Sequence, residues 1–273
     1  MTTLVKTGNM ADGSRETFRA DIAALFGAGL RTFVSVLPYV VICVVCSTAI
    51  DWIANQLPAR DSVAAMSLAM VLAWVPTLLL AFVLSKAFGT LFPHTKRYPR
   101  TGLRGFVVSV GKSTLAICAA QLIAAALFKP IGAFMTHGDL VFHFMFPAYM
   151  IVEPLMSCLG AVLVFAFIGT WLAADATGRN PALSDAVRRG ETYFFRTAGR
   201  LLVILGSVTI VWFGLTWASA FTLHSLVPDI DVRQARHVFV AGAYLAQALG
   251  LVLGAAVIAR AYAKADAGRP LEQ

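Results

Sequence analysis

The chain has 273 residues, 59% of them hydrophobic and only 13% charged, with a mean hydropathy of +0.76 and a formal net charge of +8. Soluble domains carry roughly 25% charged residues, so this composition excludes a soluble fold. Its apolar runs are uniform and reach the roughly 20 residues that a helix needs to cross a ~30 Å hydrocarbon core, which excludes the alternating strands of outer-membrane barrels.

The first 31 residues contain Lys6, Asp12, Arg15, Glu16, Arg19 and Asp21, a charge density that a cleavable signal peptide does not carry. Ser14 is a candidate N-cap, after which Phe18, Ile22, Leu25, Phe26 and Gly29 recur at helical spacing. This pattern predicts an amphipathic interfacial helix leading into the first span. Six spans follow, over 32–50, 63–84, 105–128, 144–174, 201–223 and 238–259. Pro38, Pro76, Pro147 and Pro154 fall inside them and predict kinks, which membrane helices tolerate when neighbours satisfy the freed backbone groups. A second amphipathic helix is expected from Asn180-Pro181 through Leu183, Ala186 and Val187 to Tyr193-Phe194-Phe195-Arg196. The predicted fold is all-α: a polytopic membrane bundle of about six transmembrane helices, with amphipathic surface helices at the N-terminus and over 181–196. It divides into a cytoplasmic N-terminal segment (1–31), a bundle (32–263) and a cytoplasmic tail (264–273).

The basic residues set the orientation. Eighteen of the 22 lie in the N-terminus, the 85–104 loop with adjoining Lys112, the 175–200 loop and the C-terminus, while Arg60, Lys129, Arg233 and Arg236 are on the other side. The positive-inside rule places both termini in the cytoplasm. The net charge thereby becomes a topological bias and gives no reason to expect nucleic acid as a partner. Arg179, Arg188, Arg189, Arg196 and Arg200 form a candidate lipid-surface strip, since a basic residue near an anionic leaflet contributes about 1 kcal/mol.

Few residues carry candidate chemistry. Gly105–Ser113 looks like a phosphate-binding loop, but five residues separate Gly105 from Gly111 where that loop needs four, and the segment opens an apolar run. Lys112 is expected to snorkel back to the headgroups. Glu153 is an ionisable group inside a predicted span, a functional candidate by default, and the most informative single residue. Counting back from Ala174 puts it about 31 Å along the helix, at the outer interface, which requires 142–152 to lie flat, re-enter or kink at Pro147. A helix starting at Phe144 instead buries it roughly 13 Å from the outer end; the first register avoids the cost of a buried charge and is preferred. Gln121 and Gln247 are expected to hydrogen-bond between helices. His137, His143, His224 and His237 fall on the outer side but lack the i, i+4 spacing of a helical metal site, so no metal or other cofactor is expected. Cys43-x-x-Cys46, Cys118 and Cys158 all fall in spans and are read as small hydrophobes. Gly242, Ala246, Gly250 and Gly254 form a small-residue stripe that admits a close neighbour, either another span of the same chain or a second subunit.

After Thr170-Trp171-Leu172-Ala173-Ala174 comes Asp175-x-x-Gly178, then Ala186-Val187-Arg188-Arg189 and an aromatic-basic stretch. This resembles the loop after the fourth span in a group of six-span bacterial membrane proteins, among them the membrane domain fused to some glycerophosphodiester phosphodiesterases. The resemblance, centred on Asp175–Gly190, covers about thirty residues, the six-span plan and the N-terminal amphipathic helix. It implies a bacterial inner-membrane setting and carries over no catalytic residues. The leading expectation is a non-enzymatic membrane protein that interacts with lipids, with a second copy of itself or with another membrane protein. The alternatives are a transporter or channel-like protein for a small or lipidic solute with Glu153 in its pathway, and a membrane-embedded metal-dependent enzyme.

Overall fold

The computed structural model describes residues 9–56, 63–92, 102–136, 142–177, 182–226 and 232–267. They form six α-helices: α1 (Asn9–Gln56), α2 (Val63–Leu91), α3 (Gly102–Thr136), α4 (Phe142–Ala176), α5 (Leu183–Leu226) and α6 (Val232–Ala267). Each contains a segment long and apolar enough to cross a membrane. The outward surface agrees with that: Val34, Val41, Ile42, Val45, Val71, Trp74, Leu122, Ile210, Val211 and Leu215 are all exposed. In water, so much exposed apolar surface would drive association. Against hydrocarbon it is the expected exterior.

Both amphipathic segments are helical, and each is the leading section of a spanning helix. Ser14 is therefore not a cap, because α1 has already begun at Asn9. No proline interrupts 9–37, so the backbone ladder runs on, and its 48 residues extend about 72 Å, well beyond a hydrocarbon core. The inward face of α1 is one continuous stripe of Leu25, Gly29, Thr32, Val36, Val40, Cys43 and Ser47, spaced three or four apart and all buried. The cap expected at Asn180-Pro181 lies outside the described residues. From Leu183 onward α5 is unbroken, with Asp185 in its first turn, where a carboxylate complements the helix dipole. α4 likewise runs unbroken from Phe142 through Glu153 to Ala176. The segment before Glu153 continues the helix and does not lie flat or re-enter as a separate element.

Helices α1 to α6 neighbour one another in chain order, and α6 closes the ring onto α1. α6 also packs on α2 and α4, so it is the central helix, and every residue of its 252–259 segment is buried. α3 packs on α2 and α4 and, among the described residues, reaches neither α5 nor α6. Four glycines allow close crossings, and at one of them, Gly160, a Cβ would lie 2.5 Å from the Ala120 carbonyl oxygen and 3.0 Å from the Ala124 nitrogen, drawing α4 onto α3 beside two residues that line the bundle's cavity. A Cβ at Gly29 would lie 3.1 Å from the Leu253 Cα, one at Gly169 would lie 2.9 Å from Ile258 side-chain carbons, and one at Gly190 would run into the Phe167 backbone, 2.7 Å from its Cα. Dispersion contact at such range is what associates helices where no hydrophobic effect separates protein from lipid.

Candidate functional site

Among the described residues, polar side chains gather most in two regions of the bundle, and these differ in kind. The first is the end that carries both termini. There Asp21, one turn before Leu25 on the inward stripe of α1, is ion-paired with Arg200 of α5 and Arg260 of α6. Asp21 and Arg200 are nearly buried, at 11% and 13% exposure, while Arg260 is 43% exposed. Lys112 of α3 donates to Asp175 Oδ1 of α4 at 2.6 Å and lies 5.0 Å from the Trp171 ring centre. Ser85 and Ser109 share a buried hydrogen bond of 2.9 Å between α2 and α3. The Thr177 and Tyr262 hydroxyls meet at 3.2 Å, with Arg189 5.8 Å over the Tyr262 ring. Every helix contributes to this layer through charge pairs, hydroxyls or rings.

The second region is a half-open cavity of about 390 Å³ bordered by α2, α3, α4, α5 and α6, with Gln121, Ser157 and Gln247 of its lining exposed. It exists for two reasons. α3 does not reach α5 or α6, and the walls between them are lined by side chains too small to fill the gap: Ala120, Ala124, Ala161, Ala243, Ala246, Gly250 and Gly254. Larger apolar groups, among them Leu84, Phe165 and Trp212, complete the wall, and Pro154 and Ser157 lie at the level of Glu153. The polar lining is neutral, consisting of Gln121 on α3, Gln247 on α6, Ser157 and Cys158 on α4 and Thr209 on α5. Among the described residues no charged side chain faces it. Thr209 donates internally to the Leu205 carbonyl at 2.9 Å.

The structure redistributes the residues singled out in the sequence. Lys112 does not snorkel, because the Asp175 carboxylate lies within reach and holds its ammonium. Arg200, expected on the lipid surface, points inward to Asp21; Arg188 and Arg196 are exposed, Arg189 is half-buried, and Arg179 lies outside the described residues. Gln121 and Gln247 do not bridge helices. They line one cavity, on two helices that do not touch. Within the small-residue stripe, Gly242 faces the Trp212 ring, Gly250 and Gly254 face Leu205 and Leu201 on α5 of the same chain, and Ala246 faces the cavity. Glu153 has its place on α4, but its side chain lies outside the described ones, as do those of His143 and His224, and His137 lies outside the described residues altogether. His237 lines a shallow groove with Thr48 and Trp52 of α1. Among the described residues no three His, Cys, Asp or Glu side chains converge. All four cysteines are free, and Gly105–Ser113 is helical throughout, so its backbone N–H groups are not splayed for a phosphate.

Sequence reasoning missed Asp21, Asp175 and Arg260 as partners. For Asp21 a signal was present, since it is in register with Leu25, Gly29 and Thr32 and so falls on the buried face. Together these features define a multi-pass helical membrane protein with an ion-paired end and a half-open cavity whose described lining is neutral. Compared with protein-family models, characterised proteins and solved structures, the chain matches none.

Proposed function

We propose that the protein binds a small or lipidic solute within its bundle and acts in the transport or holding of that solute, with the α2–α6 cavity as its site. The observation that carries this reading is the cavity itself. A bundle that served only as a lipid-packed anchor would gain dispersion contacts by closing it, and proteins seldom keep such volumes without use. Its volume falls within the roughly 300–1,000 Å³ of small-molecule sites, and its polar groups are few and convergent, as orientation of a ligand requires. Glu153, one residue before Pro154 of the lining, stands at the mouth in this reading. The setting is a bacterial inner membrane with both termini in the cytoplasm, supported by the resemblance centred on Asp175–Gly190 and by the distribution of basic residues.

Native mass spectrometry of the protein extracted directly into lipid nanodiscs tests the reading, with Ala243→Phe as the comparison. Ala243 lines the cavity, and a phenyl ring there occupies it. Wild type is expected to retain a defined small molecule that the variant lacks. Equal retention by the two, or an empty wild type, would overturn the assignment.

A second reading rests on a different feature. On α5, Arg188 and Arg196 are exposed beside Phe195, which is 88% exposed. Basic side chains flanking an uncovered aromatic suit an anionic leaflet or a membrane-protein partner. Its signature in the same experiment is a stoichiometric second protein, a homodimer or anionic lipid lost on Arg188→Ala/Arg196→Ala.

A further inference from the structure

Gln121 and Gln247 are the widest hydrogen-bonding groups in the cavity, each with a carbonyl acceptor and two N–H donors. They stand on α3 and α6, which do not pack on each other, and no hydrogen bond joins them. Among the described residues neither carboxamide has a hydrogen-bond partner. Both are exposed where they line the half-open cavity, and in hydrocarbon an unsatisfied polar group costs several kcal/mol, so a partner that seats there and pairs with them is favoured. Water meets that need only while the cavity is unoccupied.

The rest of the lining decides what kind of molecule that partner is. An anionic head would leave water for a site where no described side chain supplies a counter-charge, at a cost that hydrogen bonds from two carboxamides do not recover. A cationic head would be drawn to Glu153, which the proposed function puts at the mouth, and away from the two glutamines. A pure hydrocarbon would displace water and leave both carboxamides unpaired. A neutral group that both donates and accepts, on an apolar body, meets both conditions: its head pairs with Gln121 and Gln247, and its chain lies against Leu84, Phe165 and Trp212. We propose that the cavity selects an uncharged amphiphile drawn from the membrane, an apolar chain ending in a hydroxyl or carboxamide, and that Gln121 and Gln247 are its specificity-determining residues. This deepens the proposed solute-binding function and rests on it.

Trp212 in the cavity wall supplies a native reporter, because bromine on a ligand chain quenches an indole it touches. The other four tryptophans, Trp52, Trp74, Trp171 and Trp217, are replaced by phenylalanine, and the full chain is placed in nanodiscs of unbrominated lipid. Three probes with the same dibrominated chain are titrated: a monoacylglycerol, the matching fatty-acid carboxylate at a pH that keeps it ionised, and the plain hydrocarbon. The monoacylglycerol is expected to quench saturably, and the other two only in linear proportion to their membrane concentration. Gln121→Leu with Gln247→Leu is expected to weaken the saturable phase about tenfold or more, as loss of two hydrogen bonds of about 1 kcal/mol each requires. Equal saturation by the carboxylate or the hydrocarbon, or an unaltered affinity in the leucine pair, would overturn the selectivity while leaving the cavity a binding site. If none of the three probes saturates, the solute-binding function falls with it. The same ranking is read on the wild-type chain by native mass spectrometry with the three probes in competition, which decides the matter if the tryptophan-substituted protein does not fold.

Discussion

The end of the bundle that carries the termini and the interior beyond it are built from the same six helices by opposite means. Near the charged end the backbones approach closely at Gly29 and Gly190, and the nearly buried charges are paired, Asp21 with Arg200 and Lys112 with Asp175; a further backbone crossing, of α4 on α3 at Gly160, lies beside the cavity. Further along, small side chains line a gap they do not fill, and the polar groups are neutral and face empty volume. Ionised groups inside a membrane protein must find a counter-ion, which fixes the helices that bear them. Neutral amides are cheaper to leave waiting for a ligand. The difference teaches that one end is organised to hold its geometry, while the other leaves volume that the proposed function assigns to a solute.

The contrast breaks first at Gly190. Because a methyl group there meets the Phe167 backbone, no rotamer change relieves the overlap, and α4 and α5 must separate. Gly190→Ala is expected to destabilise the protein by about 2–3 kcal/mol, at the upper end of overpacking costs, and Gly190→Leu to prevent folding. Thermal unfolding in detergent measures both. A Gly190→Ala protein as stable as wild type would mean that the closed end is no more rigid than the cavity wall.

Next in size is the Asp21 cluster. Asp21→Asn leaves the Arg200 guanidinium nearly buried without its carboxylate, and removing one member of such a pair costs about 3 kcal/mol when fully buried, less here because of the residual exposure. Arg260→Ala removes the outer, largely solvated partner and is expected to cost under about 1 kcal/mol. Asp21→Leu with Arg200→Met should recover part of the loss in a double-mutant cycle, since an apolar pair leaves no stranded charge. If Arg260→Ala proved as costly as Asp21→Asn, the cluster would be a surface network and not an internal lock.

The six helices were legible because a hydrocarbon solvent leaves its mark on every span: runs of about 20 apolar residues and charge confined between them. Their lengths were not. Charged residues such as Arg15 and Arg19 end an apolar run without ending a helix, so α1 and α5 begin far earlier than hydropathy indicates. Gly242, Gly250 and Gly254 were readable as a packing stripe, but only the fold assigns them to α5. Gln121 and Gln247 lie 126 positions apart in the chain, and nothing local to either reveals a common cavity. Asp21 lay within reach, for extending the stripe Leu25-Gly29-Thr32 back by one turn puts a carboxylate on the buried face and calls for a cation. Which cation answers, Arg200 or Arg260, depends on helix neighbours that sequence spacing does not encode.

The smallest effects are expected along the α6 stripe, and they sharpen the contrast from the permissive side. A Cβ at Gly250 would meet Leu205 Cδ2 at 3.4 Å, an ordinary contact, and alanine is favoured over glycine in a helix by up to about 1 kcal/mol. Gly250→Ala should therefore be neutral or slightly stabilising. At Gly242 the added methyl overlaps the tip of the Trp212 ring, yet that ring borders the cavity and has open volume to turn into. Gly242→Ala should thus cost less than Gly190→Ala although its overlap is at least as close, because a side chain yields where a backbone does not. The displaced indole would report the movement as a shift in its fluorescence emission. If Gly242→Ala is as damaging as Gly190→Ala, the volume beside Trp212 is not free to receive the ring, and the interior is as tightly determined as the end that carries the charges.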